Sequence, residues 1–303
     1  MKEKPMSSPN ESEGILIKSI DGFFYVETSQ GVFECRARGL FRKTGTKPVA
    51  GDRVKVLLDE TTGNVITEVL ERKTLLVRPP VANIDKLIIV SALKDPAPNF
   101  LVIDRLTAIA CNRDIEPVVV FSKSDLDSAE EYINIYKKAG ITSFAVSCKT
   151  GEGADEIKRE LNGHISAFAG NTGVGKSSIL NMIMPELNLA TGEISAKLGR
   201  GRHTTRESQL YKVEGGYVAD TPGFSSLEFE GDDIMLKENV AFGFKEFLPY
   251  LGKCKFSTCR HINDKGCKIV EAVENGEIAK SRHDSYVTML NQAMEIKEWE
   301  LRK

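Results

Sequence analysis

The chain has 303 residues, 41% of them hydrophobic and 28% charged, and a net charge of -2. That length leaves room for two or three domains with buried cores. The balanced charge excludes a polyanion binder that acts through its whole surface, so any nucleic-acid contact must be local. No run approaches the roughly 18 apolar residues of a membrane span, and the first residues, MKEKPMSSPNESE, lack the apolar core of a signal peptide. Residues 1–13 are expected to form a disordered tail, and the protein to be cytoplasmic.

Residues 14–77 read as an all-β domain. GILIKSI and FFYVET are apolar runs broken at Asp21-Gly22, a turn dipeptide. GVFECRARGLF alternates, placing Arg36 and Arg38 on the face opposite Cys35 and Ala37. GDRVKVLLD and NVITEVL complete about five short strands, which suits a small barrel of the OB or the SH3-like kind. Arg78 to Asp85 reads as a linker.

From Asp85 the pattern becomes alternating. Apolar KLIIVSAL, PVVVF, TSFAV and HISAFA are separated by helical stretches that include LVIDRLTAIACN, AEEYINIYKKAG and residues near Ala154 to Leu161. Near-continuous apolar strands alternating with helices predict a parallel sheet covered on both faces, over residues 78–231. Beyond Gly223 the strand signals stop. Residues 232–303 read as helical, with a long charged helix from about Arg282.

The second domain carries the chemistry. Gly170-Asn171-Thr172-Gly173-Val174-Gly175-Lys176-Ser177-Ser178 matches the phosphate-loop pattern, placed between a strand and a helix as its mechanism requires. Its glycines let backbone N–H groups wrap phosphates, and the helix N-terminus adds positive potential. Lys176 would bridge the outer phosphates and Ser177 would ligate Mg²⁺. Upstream, Ser122-Lys123-Ser124-Asp125 follows a strand. A carboxylate at Asp125 accepts from both N1–H and the exocyclic amine of guanine, a donor pair that adenine lacks, which argues against an ATPase. Lys123 would lie along the base. Ser147-Cys148-Lys149, after the next strand, resembles the S-A-K element whose backbone N–H meets the guanine carbonyl. Ser122 stands where GTPases usually carry Asn or Thr, and its shorter side chain predicts weaker bracing of the loop.

Downstream, Asp220-Thr221-Pro222-Gly223 supplies D-x-x-G: Asp220 toward Mg²⁺ through water, and Gly223 toward the γ-phosphate. The polar, glycine-rich segment before it reads as a switch loop. Thr205, or alternatively Thr204, is expected on Mg²⁺. Phe224 occupies the position where many GTPases place a water-orienting glutamine, which predicts slow hydrolysis in isolation. His203 either supplies that contact once a partner orders the loop, or touches RNA, or is solvated. Arg200, Arg202 and Arg206 serve the γ-phosphate or RNA.

Six cysteines are present. Cys35, Cys111 and Cys148 stand alone, whereas Cys254, Cys259 and Cys267 gather around His261. Three thiolates and an imidazole suit tetrahedral Zn²⁺, and four protein ligands leave no open position, so the metal would be structural. Between residues 14 and 80, eleven Lys and Arg stand against eight Asp and Glu. Arg36, Arg38, Arg42, Lys43 and Lys47, with Phe33 and Phe41, form a candidate RNA face. Lys253, Lys255, Arg260, Lys265 and Lys268 form another around the cysteine cluster.

The order of these elements is the base readers, then the phosphate loop, GRGRHTT, DTPG and C-x₄-C-x-H-x₅-C. It resembles the RsgA family of circularly permuted, ribosome small-subunit-dependent GTPases. The resemblance covers essentially everything beyond the tail. It implies an N-terminal OB-fold RNA-binding domain (14–77), an α/β permuted P-loop GTPase domain (78–231) and a helical zinc-binding domain (232–303). It further implies GTP/GDP, Mg²⁺ and one structural Zn²⁺ as cofactors. The implied activity is GTP hydrolysis in late maturation of the small (30S) subunit, stimulated by that subunit and followed by release. Partners would be that subunit and its rRNA, with room for other assembly factors, and the chain would act as a monomer without a membrane. A rival reading is a GTP-gated RNA-binding module in which hydrolysis is incidental.

Overall fold

The computed structural model describes residues 10–37, 47–59, 61–77, 80–187, 208–220 and 235–296. Five strands form the first unit: β1 (Asn10–Ile20), β2 (Phe23–Thr28), β3 (Gly31–Ala37), β4 (Arg53–Leu58) and β5 (Asn64–Val69). Asp21 and Gly22 between β1 and β2 have φ of 51° and 84°. Both are positive, as a two-residue hairpin that matches strand twist requires. The strands pair in the order β1-β2-β3-β5-β4, and β4 closes back on β1. The β3–β5 pair is parallel. This five-stranded closure is the OB arrangement, which strand periodicity alone does not separate from an SH3-like barrel. Leu16, Phe24, Val26, Cys35, Val54, Val56 and Ile66 fill it, with Cys35 inside and Arg36 outside as the alternation requires.

Residues 10–13, expected within the disordered tail, instead form the first part of β1. Asn10 to Glu13 pair with Leu58 to Lys55 of β4. The expected linker is also structured. β6 (Leu75–Val77) and β7 (Pro80–Ala82) form a small antiparallel pair, and Val81 and Ala82 are fully buried. Gly51 passes so close that an added Cβ would lie 2.0 Å from the Ala82 carbonyl oxygen, and its φ is +90°. Glycine alone meets both demands.

The nucleotide core follows. It comprises β8 (Lys86–Ala92), α1 (Phe100–Asn112), β9 (Glu116–Ser122), α2 (Glu130–Lys138), β10 (Thr142–Val146), α3 (Ala154–Leu161), β11 (Ile165–Ala169), α4 (Lys176–Ile183), β12 (Gln209–Val213) and β13 (Gly216–Asp220). Its sheet order is β10-β9-β8-β11-β13-β12. Every residue of β8 is buried. Leu87 and Ile89 join the cluster on one face, and Ile88 and Val90 the cluster on the other. The expected parallel sheet needs one correction: β12, between β13 and the barrel strand β1, runs antiparallel to β13. The two-residue Glu214-Gly215 connection, with φ of 40° and 80°, permits only a hairpin, because a parallel return needs a crossover of a dozen or more residues.

β12 also touches the barrel, since Lys18 of β1 pairs with Gln209. The described C-terminal residues contain single 3₁₀ turns, α5 (Lys268–Glu274) and α6 (Lys280–Glu295) around Phe244, Phe247, Ile269 and Tyr286. The predicted charged helix is therefore present, but Arg282, His283 and Tyr286 on it are buried.

Candidate nucleotide site and metal centre

β11 is buried along its whole length and is followed directly by Gly170. Gly170, Gly173 and Gly175 have φ of +135°, +81° and +94°, and a Cβ on Gly170 would lie 2.2 Å from the Val90 carbonyl. The turn then enters α4, which places Lys176 and Ser177 in its first helical turn. Lys176 Nζ curls back to donate to the Gly170 and Asn171 carbonyls at 2.6 and 2.8 Å. Burial lowers its pKa to about 8. A phosphate in this loop would replace those weak dipolar partners with full negative charge.

β9 and β10 are neighbours, so the loops that follow them lie side by side. The Ser147 hydroxyl donates to Asp125 Oδ1 at 2.8 Å and accepts from the Lys149 and Thr150 N–H groups at 3.2 and 3.3 Å. Lys149 Nζ is 3.9 Å from Asp125 Oδ2. Asp125 is thus aimed by Ser147, while Cys148, next to it in the loop after β10, is exposed. Lys123 adopts φ 60°, and its ammonium donates to the carbonyls of Lys94 (3.0 Å) and Asp95. Ser122, expected to brace poorly, is 2% exposed, and its hydroxyl donates to the Val174 carbonyl at 2.5 Å. The phosphate loop packs close enough for the short side chain to reach it. The base readers and the phosphate loop are therefore tied directly.

Asp220 ends β13, which runs beside β11, so its backbone emerges next to the phosphate loop. Thr204, Thr205, His203, Arg200, Arg202, Arg206, Gly223 and Phe224 lie outside the described residues, as do Arg38, Phe41, Arg42 and Lys43. Arg36 is exposed and lies over the Phe23 ring at 5.2 Å. Lys47 is also exposed, whereas Phe33 packs partly against the barrel core.

The ligating atoms of Cys254, Cys259, His261 and Cys267 all lie within 4.8 Å of one another. Cys254 and Cys267 Sγ are 3.8 Å apart, and His261 Nδ1 is 3.5 Å from each. Tetrahedral zinc with bonds of about 2.3 Å to sulfur and about 2.05 Å to nitrogen requires edges of about 3.8 and 3.5 Å. The residues fit the metal. Lys268 N–H donates to Cys254 Sγ at 3.4 Å and Val270 N–H to Cys267 Sγ at 3.5 Å, contacts that fix the orientation of both sulfurs. His283 Nε2 lies 2.7 Å from the His261 carbonyl, and the Tyr286 hydroxyl donates to that of Arg260 at 2.8 Å, pinning the loop to α6. Lys253, Lys255, Arg260, Lys265 and Lys268 are all exposed around it, and Lys255 lies over the exposed Phe256 ring at 5.5 Å.

Two joints escaped the sequence reading. Fully buried Arg282 bonds to Asp104 Oδ1 at 2.7 Å, to Thr107 Oγ1 at 2.9 Å and to both Glu246 oxygens at 2.7 and 3.1 Å. The Tyr136 hydroxyl also donates to Asp104. Burial opposes the guanidinium charge, but Asp104 and Glu246 outweigh it and raise its pKa. The second joint is Glu27 of the barrel, which takes Lys212 and Tyr217 as partners. An arginine among apolar positions of a helix was the available signal for the first joint. The second left none, because it depends on strands that meet only in the fold.

The chain was also compared with known proteins. The family model of the RsgA GTPase matches residues 69–230, and that of the RsgA N-terminal domain matches residues 13–66. It is 44% identical over 295 residues to the small ribosomal subunit biogenesis GTPase RsgA of Caldanaerobacter subterraneus subsp. tengcongensis, covering 96% of this chain and 98% of that one. A Moorella thermoacetica protein of the same name is 44% identical over 286 residues, covering 93% and 97%. The crystal structure of YjeQ from Thermotoga maritima superposes with a TM-score of 0.81 at 38% identity, covering 95% and 100%. That of YloQ, described as a circularly permuted GTPase, gives 0.81 at 31%, covering 95% and 96%. With a phosphate loop downstream of its base readers and these matches from end to end, the chain belongs to the RsgA family of circularly permuted GTPases.

Proposed function

We propose that this GTPase acts in late maturation of the small ribosomal subunit, binding the subunit and its rRNA in the GTP state and leaving after hydrolysis that the subunit stimulates. One observation carries the reading. Ser147 aims Asp125, and Ser122 ties the base-reader loop to the phosphate loop, in a chain that aligns over nearly its full length with small-subunit biogenesis GTPases. We assign the barrel (from Asn10 to about 77) and the zinc region (232–303) as RNA-binding arms on the core (78–231). The protein would work as a cytoplasmic monomer.

In the cleft, Asp125 reads the guanine donors, Lys123 supports the base, and the backbone around Cys148 and Lys149 meets the carbonyl. Residues 170–178 wrap the phosphates. Ser177, Thr205 and Asp220 offer the hard oxygen donors that Mg²⁺ prefers, and Ser177 sits at the start of α4 beside the loop. Bound Mg²⁺ would neutralise charge on the β- and γ-phosphates. Lys176, released from the loop carbonyls, adds a second positive charge there. Gly223 senses the γ-phosphate. With Phe224 unable to orient water, His203 takes that role once the subunit orders the switch loop. Zn²⁺ holds the C-terminal loop in shape and takes no part in the reaction.

The test is GTP turnover with and without purified small subunits. Stimulation of at least about tenfold is expected, equivalent to lowering the barrier by about 1.4 kcal/mol or more. No stimulation removes the ribosomal role. His203→Ala should abolish the stimulated component; unchanged stimulation would reassign that residue.

A further inference from the structure

Glu27 sits on β2, opposite Ile15 of β1. It reaches past β1 to Lys212 on β12, whose register partner on β13 is Tyr217. One barrel carboxylate therefore holds the hairpin at this rung through Lys212. Its side chain is 17% exposed and that of Lys212 63%. Burial, and then the neighbouring Glu27 carboxylate, push the Tyr217 hydroxyl up to about 12.

The second contact falls at the other end of the same hairpin. Lys18 of β1 pairs with Gln209, and Gln209 pairs with Asp220. At one strand spacing per step, the barrel backbone comes within roughly 10 Å of the Asp220 backbone. Ile15 and Ile17 of β1 pack against the cluster that contains Leu210 and Ala219, filling the space between the two contacts. Gln209 lies two residues beyond Glu207, the last residue of the segment 196–207 read as the switch loop, which lies outside the described residues, and Asp220 opens D-x-x-G. The barrel thus holds the hairpin whose open end carries Asp220.

We propose that Glu27 is a positioning residue for GTP hydrolysis: with the Lys18–Gln209 rung, it sets where β12 and β13 deliver Asp220. A partner that loads the barrel then changes turnover through this hairpin rather than through the base readers. The inference rests on Asp220 acting in hydrolysis. Small errors in the placement of reacting groups cost far more in rate than in ground-state binding.

The experiment measures unstimulated GTP turnover, affinity for fluorescent GDP, and thermal melting of the full chain. A missing response to ribosomal subunits would therefore sink the proposed function without touching this inference. Glu27→Ala should lower kcat about tenfold, while GDP affinity stays within about twofold. Glu27→Gln keeps an acceptor for the Lys212 ammonium while removing the charge, and should recover about half of that loss on a logarithmic scale. Two results overturn the proposal: unchanged kcat in Glu27→Ala, or kcat and GDP affinity falling by the same factor. If Glu27→Ala melts early, Glu27→Gln decides. Wild-type melting with intermediate kcat supports positioning, and wild-type kcat assigns Glu27 to stability alone.

Discussion

On the barrel side, the nucleotide core shares a backbone pairing, Lys18 with Gln209, and an ion pair whose lysine is largely exposed. On the C-terminal side the joint is made by side chains. Arg282 and Asp104 have no exposed side-chain surface, Glu246 retains 5%, and the Arg282 guanidinium also lies 4.6 Å from the Phe244 ring centroid. Dielectric surroundings separate the two. A wet ion pair is worth little and yields readily to a competing ligand, whereas a dry one is costly to separate because either half would be left charged and unsolvated. The barrel is thus fastened by a joint open to water, and the C-terminal region by a dry one buried against α1.

The largest effect expected is from zinc. Structural zinc contributes on the order of 10–16 kcal/mol in small zinc-binding modules. Cys267→Ser, or chelation, should make residues 254–267 sensitive to limited proteolysis, while GDP affinity of the core stays within about twofold. A core that loses GDP binding in parallel would show that the metal loop also supports the nucleotide site.

Next is Arg282→Met, which strands two buried carboxylates and should cost about 3–5 kcal/mol in denaturant unfolding. Adding Asp104→Asn and Glu246→Gln should return most of that loss. If the triple variant is no better than the single, the network is not the fastening. Smaller again is Ser122→Ala, which probes a joint inside the core. It leaves the buried Val174 carbonyl unpaired, for about 1 kcal/mol. GTP and GDP should weaken together by about fivefold by calorimetry, and a loss confined to GTP would place Ser122 with the switch elements instead.

The smallest effect sharpens the comparison itself. Raising salt from about 0.05 to about 1 M shortens the screening length to about 3 Å. The difference in kcat between wild type and Glu27→Ala should shrink, while the unfolding penalty of Arg282→Met stays constant. Equal salt responses would mean that the two joints do not differ in exposure to water.

Much of the site was legible because its chemistry is local. Phosphate wrapping needs glycines at fixed intervals before a helix, so Gly170 to Ser178 declared itself. Tetrahedral zinc needs soft ligands close together, and Cys254 to Cys267 supplied them within one loop. Ser122 was misjudged for the opposite reason: its worth depends on the 2.5 Å approach of Val174, fifty-two residues away. The linker was misjudged because Pro79 and Pro80 read as punctuation, whereas Val81 and Ala82 are buried under Gly51. The single antiparallel strand was missed because Gln209–Val213 follows a polar loop and borrows its direction from a two-residue turn.

By itself the sequence determined which ligands the chain is built to hold, since donor type and spacing are covalent facts. It also set the permuted order of those elements, and that order makes β12 and β13 the last strands of the core. Only the tertiary structure decided what the two outer regions grip. Lys18 against Gln209, Glu27 against Lys212 and Tyr217, and Arg282 against Asp104 and Glu246 are pairings across long sequence separations. Their strength is set by how much water each joint retains, a property of packing that no local pattern of residues encodes.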